Sequence, residues 1–309
     1  MISFGRNPAQ ISAYRILQTN LSLDLRPVRC TFYQIPFHRR ETGERMDEVT
    51  GIIEEISSIA RQAGDIALRS FGRVSPEMKA DRSFVTEADR RVEEFIREQL
   101  ASRFPADNVI GEEDIDKSDG SSGYTWAIDP IDGTTNYVFG VPYWAVCIGR
   151  IAADGTPDLG VVNVPAMDEL YTGALGNGAT VNGRTLKMAV PAFPEHELLL
   201  GAWSTFYREI ELDFQGKVRV LGSTVIKFLN MARGMFIGAL TPTVHIWDVA
   251  PGFPILREAG GDICLRDGTP YERFDLDPKH EFLVPPLVLA ASSEMDRIRG
   301  MIVEQRKHE

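Results

Sequence analysis

Between residues 124 and 186 the chain offers one strand-length apolar segment after another: "YTWAID", "YWAVCIGRIA", "DLGVVNVP" and "ELYTGALGNGATVNGRTL". The last of these contains the Asn177-Gly178 and Asn182-Gly183 pairs, the strongest short-range signal for tight hairpin turns. A chain built this way must form a sheet, and its flanks say what covers it. Upstream, Val49, Ile52, Ile56, Ile59, Ala63 and Ile66 recur at helical spacing and predict a helix over 47–71, with Gly72 fitting its C-cap. Then comes a polar, flexible-looking stretch, "SPEMKADRSF", and a second helix is expected over 86–104, with Val92, Phe95, Ile96 and Leu100 on one face.

Downstream of "VPAFPEHE" the pattern changes to alternation. "LLLGAW", "VRVLG", "MFIGAL", "DICL" and "PLVLAA" read as strands, while "STVIKFLNMARG", "WDVAPGFPILREAGG" and "SEMDRIRGMIVEQRK" read as helices. That alternation predicts an α/β lobe after an α+β one. The expected organisation is an extension over 1–45, an α+β lobe over 46–190 and an α/β lobe over 191–309. Pro251 fits the first turn of its helix, whereas Pro254 is expected to kink or shorten it.

Charge narrows the function classes. The net charge is −11, and the first 45 residues carry seven Arg and three acids, a local +4 that leaves the remainder at −15. This Arg-rich segment reads as a disordered extension or an upstream start ahead of Met46, with a targeting segment as the other reading. A nucleic-acid partner would have to use it, but seven Arg over 45 residues is sparse and no aromatic-interleaved basic patch accompanies them. No apolar run approaches the roughly 18–20 residues of a bilayer span. Cys30, Cys147 and Cys264 are far apart, which disfavours a disulfide framework or a zinc site and suits a reducing compartment such as the cytoplasm.

The acids are the remaining signal, and each has an ordinary structural explanation. In "WAIDPIDGTTN", Asp129 and Asp132 flank a proline and fit a polar turn, or two carboxylates turned toward one point. The following Gly133-Thr134-Thr135 fits a helix start or an anion site made of backbone amides. "IGEED" puts Glu112 and Glu113 at a strand end, where neighbours point opposite ways and one at most faces a given site. In "VTEAD", Thr86 and Asp89 resemble a capping box. In "IWDVA", Asp248 fits a helix N-cap and His245 a packed histidine. "DIDKSDG" misses the calcium-loop pattern and reads as a solvated loop. Acids at strand ends and helix starts are also what a convergent site for a hard divalent cation looks like, and sulfur-free carboxylate ligation suits Mg²⁺.

"VTEAD", "GEED", "WAIDPIDGTTNYVFGVPYWAVCIG" and "WDVAPGFPILREAGG", in this order and spacing, resemble the inositol monophosphatase family of magnesium-dependent phosphatases, over roughly Met46 to Ser293. The resemblance implies a layered αβαβα sandwich, a homodimer, and two to three Mg²⁺ per subunit acting on a small phosphorylated metabolite. It implies one ion at Glu112, Asp129 and the Ile131 carbonyl, a second at Asp129, Asp132 and Asp248, and a weaker third near Glu112. Asp89 and Thr134 would position and activate the attacking water, with Glu112 contributing to catalysis. Gly133 and Thr134 amides would hold phosphate, Glu113 would orient its neighbours, and Lys79 and Asp81 would lie in a loop over the site.

Two departures bear on substrate. Inositol-preferring relatives carry a glutamate seven residues before the W-D aspartate; here that position is Thr241, and Thr224 is another substrate-side position. Histidinol-phosphate members often carry Lys after D-G-T, whereas this chain has Thr135. The expected substrate is inositol 1-phosphate or a related sugar phosphate; the alternatives are histidinol phosphate, fructose 1,6-bisphosphate, or a non-catalytic phospholigand-binding role.

Overall fold

The computed structural model describes residues 44–80, 82–114 and 120–304. The predicted extension therefore lies outside the described residues up to residue 43, as do Asp81 and most of "DIDKSDG". Seven helices and two main sheets organise what is described: α1 (Glu44–Leu68), α2 (Glu87–Arg103), α3 (Thr134–Val138), α4 (Thr224–Ala232), α5 (Ile246–Val249), α6 (Gly252–Ala259) and α7 (Met295–Gly300).

The strand run of the sequence forms a seven-stranded sheet in chain order, from Asn108–Gly111 to Arg184–Thr185. Its first pair is parallel and the rest are antiparallel. The second expected Asn-Gly turn is present, with Asn182 and Gly183 at φ 48° and 74°, the left-handed pair a tight hairpin needs. α1 and α2 cover one face of this sheet and α4 and α6 the other. Beyond them lies a five-stranded sheet ordered Lys217–Val220, Leu199–Ala202, Gly238–Leu240, Leu287–Ala291, Gly261–Leu265, with α7 against it. The result is the layered αβαβα sandwich. The first three strands of the second sheet are parallel, linked through α4, and the last two are antiparallel.

Helix burial follows the periodicity. Ile56, Ile59, Ala60, Ala63 and Ala67 of α1 are fully buried, together with Val92, Ile96 and Leu100 of α2. α1 stops at Leu68, short of Phe71, and Gly72 sits in a turn beyond it at φ 67° with its N–H given to the Tyr137 carbonyl. The stretch read as flexible closes into a small antiparallel hairpin, Glu77–Met78 against Phe84–Val85, which carries Lys79. The expected closing helix is only α7. Ile302–Glu304 leaves it to pair with Ile210–Leu212, because β-branched residues beside an open strand edge gain more from pairing than from another helical turn.

The faces meet most closely along a stripe of three glycines. Gly149, Gly160 and Gly173 are direct cross-strand neighbours. A Cβ on Gly149 would stand 2.8 Å from the Pro251 nitrogen and one on Gly173 2.6 Å from the Ile255 Cα, while one on Gly160 would collide with the Pro251 carbonyl oxygen. The α5–α6 rod thus lies directly on the sheet. Its hydrogen-bonded helix is interrupted at Ala250-Pro251, although both residues keep right-handed helical dihedrals. Pro254, expected to be the disruptive one, occupies the first turn of α6, where an N–H has no intrahelical partner to lose.

Candidate active site

Strand Thr125–Asp132 is buried at all eight positions and contains the whole D-P-I-D tetrapeptide, so this is no solvent turn. In a regular strand, side chains three residues apart face opposite ways. Here the register against Ala145–Ile151 shifts between Asp129 and Asp132, at the one residue that has no N–H to lend to the ladder, Pro130. The shift lets both carboxylates reach one point. Asp248, delivered by α5, joins them, and carboxylate oxygens of all three lie within 4.8 Å of one another. Such a set of hard oxygen donors fits a divalent cation of the Mg²⁺ class.

Asp129 and Asp248 each have one oxygen committed to local backbone, whereas Asp132 has both oxygens bonded to the start of α4. Asp129 Oδ1 accepts the Ile131 N–H at 3.0 Å, and Asp248 Oδ2 accepts the His245 N–H at 2.8 Å as part of a capping box. Asp132 sits on the N-terminus of α4, taking the Ser223 hydroxyl at 2.5 Å, the Thr224 N–H at 3.0 Å and the Val225 N–H at 2.7 Å. Asp89 completes the α2 capping box, its Oδ2 accepting the Thr86 N–H at 2.8 Å and hydroxyl at 2.5 Å. Its other oxygen turns to the Thr134 hydroxyl at 3.4 Å, and that hydroxyl also reaches the Ile131 carbonyl at 3.1 Å. The cap and the site are therefore both served, because a carboxylate has two oxygens.

Glu112 continues the row outward. Its N–H goes to the Ile128 carbonyl at 3.2 Å, which extends the pairing that aligns it with Asp129. Lys79 reaches over from the hairpin and donates to Glu112 at 2.9 Å and Glu113 at 2.6 Å, so both neighbours of "GEED" meet the same ammonium. The turn they occupy is clamped by Glu93 of α2, which accepts the Glu113 and Asp114 N–H groups at 2.9 Å each and pairs with Arg97. Gly111 leaves the space for that carboxylate.

The electrostatics follow from crowding. Burial raises Asp129 well above the usual carboxylate range, and Glu112, Asp132 and Asp248 raise it further. Asp132 and Asp248 are raised by burial too. Burial pushes Asp89 up to about 6, against the pull of its Thr86 donors. Glu113 is pushed up to about 7 by burial, which outweighs Lys79. Carboxylates brought together out of water hold protons unless a cation compensates them.

The turn after Asp132 places Gly133 at φ 93°, a left-handed conformation that favours glycine, where a Cβ would stand 3.0 Å from the Tyr143 carbonyl oxygen. Thr224 is half-buried at the first position of α4, beside Asp132. Thr241 is buried, and its hydroxyl accepts the Leu287 N–H at 3.1 Å, so it is committed to the second sheet. Sequence reading passed over Ser223, Glu93 and Lys227. Glu93 carried a usable signal, a glutamate among the buried residues of α2 one turn after Asp89; Ser223 carried one as the N-cap of a predicted helix.

Comparison with known proteins extends the picture. Residues 46–307 match the inositol monophosphatase family. A fructose-1,6-bisphosphatase/inositol-1-monophosphatase of Aquifex aeolicus is 35% identical over 72% of this chain and 88% of its own. A histidinol-phosphatase of Chlorobaculum parvum is 38% identical over 66% of this chain and 81% of its own. Among solved structures, the inositol monophosphatase of Anabaena superposes with a TM-score of 0.66 at 28% identity, covering 82% of this chain and 96% of that one. With the layered sandwich, the acidic cluster and a match running through nearly all the described residues, this chain belongs to the inositol monophosphatase family and is a phosphoric monoester hydrolase.

Proposed function

We propose that the protein is a Mg²⁺-dependent phosphomonoesterase for a small phosphorylated metabolite, inositol 1-phosphate or a related sugar phosphate. The observation that carries this reading is the convergence of Asp129, Asp132 and Asp248 on one point, with Asp89 and Thr134 beside them. Glu112, Asp129 and the Ile131 carbonyl would hold one cation and Asp129, Asp132 and Asp248 a second. Bound there, divalent cations supply Lewis-acid stabilisation of a phosphoryl group and an easily deprotonated water.

The chain's own residues do the rest. The Thr134 hydroxyl has one proton and two acceptors, the Ile131 carbonyl and Asp89 Oδ1, so turning toward Asp89 frees its lone pairs to orient a water. Asp89 Oδ1 is placed to accept a proton, and burial favours its taking one. Its second oxygen stays locked in the α2 cap, which fixes the direction of the first. Gly133 and Thr134 amides would receive phosphate oxygens, in a transition state whose charge is stabilised mainly by fixed positive groups. Thr241 is buried, and its short neutral side chain reaches substrate hydroxyls less well than a carboxylate would, which favours a substrate held through its phosphate more than through its hydroxyls.

Phosphate release tests the reading, using inositol 1-phosphate, fructose 1,6-bisphosphate, histidinol phosphate, 3′-phosphoadenosine 5′-phosphate and 2′-AMP, each with Mg²⁺ and with EDTA. Mg²⁺-dependent turnover of inositol 1-phosphate or a sugar phosphate, at kcat/KM of about 10⁴ M⁻¹s⁻¹ or more, is expected. Preferential turnover of histidinol phosphate would overturn the substrate assignment. Turnover that survives EDTA would overturn the metal.

A further inference from the structure

Lys227 stands on α4, 3% exposed, one turn beyond the helix start that holds Asp132. Its one hydrogen bond among the described residues is to the Leu240 carbonyl, at a long 3.4 Å. An ammonium buried this way lacks most of the hydrogen bonds it had in water and is destabilising unless opposite charge faces it. α4 packs on α5, which carries Asp248, and the first turn of α4 holds Asp132, so both of those charges act on the ammonium. Those are two of the three acids that converge on the candidate cation position. Asp132 is already compensated by three donors at the start of α4. Lys227 adds a full positive charge to that partial one, from inside the protein, where screening by salt is weak.

We propose that Lys227 is a built-in counter-charge that weakens cation binding at the Asp132–Asp248 end of the site. A cation arriving there meets carboxylates that already share an internal ammonium, and it is repelled by that ammonium across a poorly screened interior. The lysine is buried and acts through the acids, as a positioning residue that keeps the inner cation exchangeable. Its charge also offsets that of the acids before a cation binds: burial lowers the Lys227 ammonium to about 8, even against the opposing pull of Asp132 and Asp248.

This inference rests on the divalent-cation reading, and the experiment separates the two. Mg²⁺ and Mn²⁺ binding is measured by calorimetry on wild type, K227M, K227Q and K227R, with melting curves of metal-free and loaded protein alongside. The expected result is cation binding at least about tenfold tighter in K227M, a change of about 1.4 kcal/mol, with K227R close to wild type. K227M is also expected to gain more in melting temperature on loading. Folded K227M with unchanged or weaker cation binding would overturn the proposal. Failure of K227M and K227Q to fold in saturating Mg²⁺ would overturn it too, since the ammonium would then be a support and not a competitor. No cation binding by the wild type would overturn the metal reading itself, and this inference with it.

Discussion

The row of acids has two ends, and each ends at a lysine in a different setting. At the outer end, Lys79 comes from a two-residue-strand hairpin, keeps 22% of its side chain exposed, and bonds Glu112 and Glu113 directly. At the inner end, Lys227 comes from a helix packed between two sheets and faces Asp132 and Asp248 with one long hydrogen bond. The outer ammonium has solvent to swing into; the inner one has none. The same charge is thus a removable cover at one end and a fixed part of the wall at the other.

The largest effect is expected where the two ends meet. In the proposed site Asp129 would belong to both cation sets, and Asp129→Asn should lower turnover by at least about 10³-fold, beyond the loss of a single charge-stabilising group, while the melting temperature of the metal-free protein stays close to wild type or rises. A variant that keeps near-normal Mg²⁺-dependent rates would break the site assignment. At the inner end, Ser223→Ala removes an N-cap and an Asp132 partner together and should cost about 1–2 kcal/mol in denaturant unfolding, with weaker cation binding. An unchanged midpoint would show that Asp132 does not need α4 to hold its direction.

The pH dependence of the metal-free protein is a smaller effect. Asp89 at about 6 and Glu113 at about 7 lie above their unfolded values, so between roughly pH 4 and 7 the folded state binds more protons than the unfolded one. Stability is then greatest at the acidic side of that window and is lost as pH rises through 6 and 7. Saturating Mg²⁺ should flatten or reverse this slope, and melting curves from pH 5 to 8 with and without the cation would check it. The smallest effect is at the outer end. Lys79→Met should tighten cation binding only about two- to threefold, since a partly exposed ion pair is screened by solvent. An effect equal to that of K227M would erase the contrast between the two ends.

Much of this was legible in the chain itself. The strand run and the bracketing helices lie where the hydrophobic periods put them, because burial enforces a period of 2 or 3.6 wherever one face meets a core. The hairpin under Lys79 was missed because its strands are two residues long, too short for any period. Ile302–Glu304 was missed because its strand exists only by virtue of a partner ninety residues upstream. Lys227 was illegible for a related reason: a lysine in a helix carries no mark of burial, and only the packing of α4 between the sheets makes it an internal charge.

The sequence by itself determined the longer elements, the family and the identity of the acids, since these depend on local pattern and on residue types with few alternative uses. What it left open was whether each acid caps a helix or serves a site. Tertiary structure decided that capping does not keep the acids apart: a register shift between Asp129 and Asp132 turns both to one side, and a stripe of glycines lets the α5–α6 rod lie on the sheet that carries them. Each capping acid then has one oxygen held by its own turn and the other aimed inward, and convergence of that kind exists only once distant segments are packed at a fixed distance.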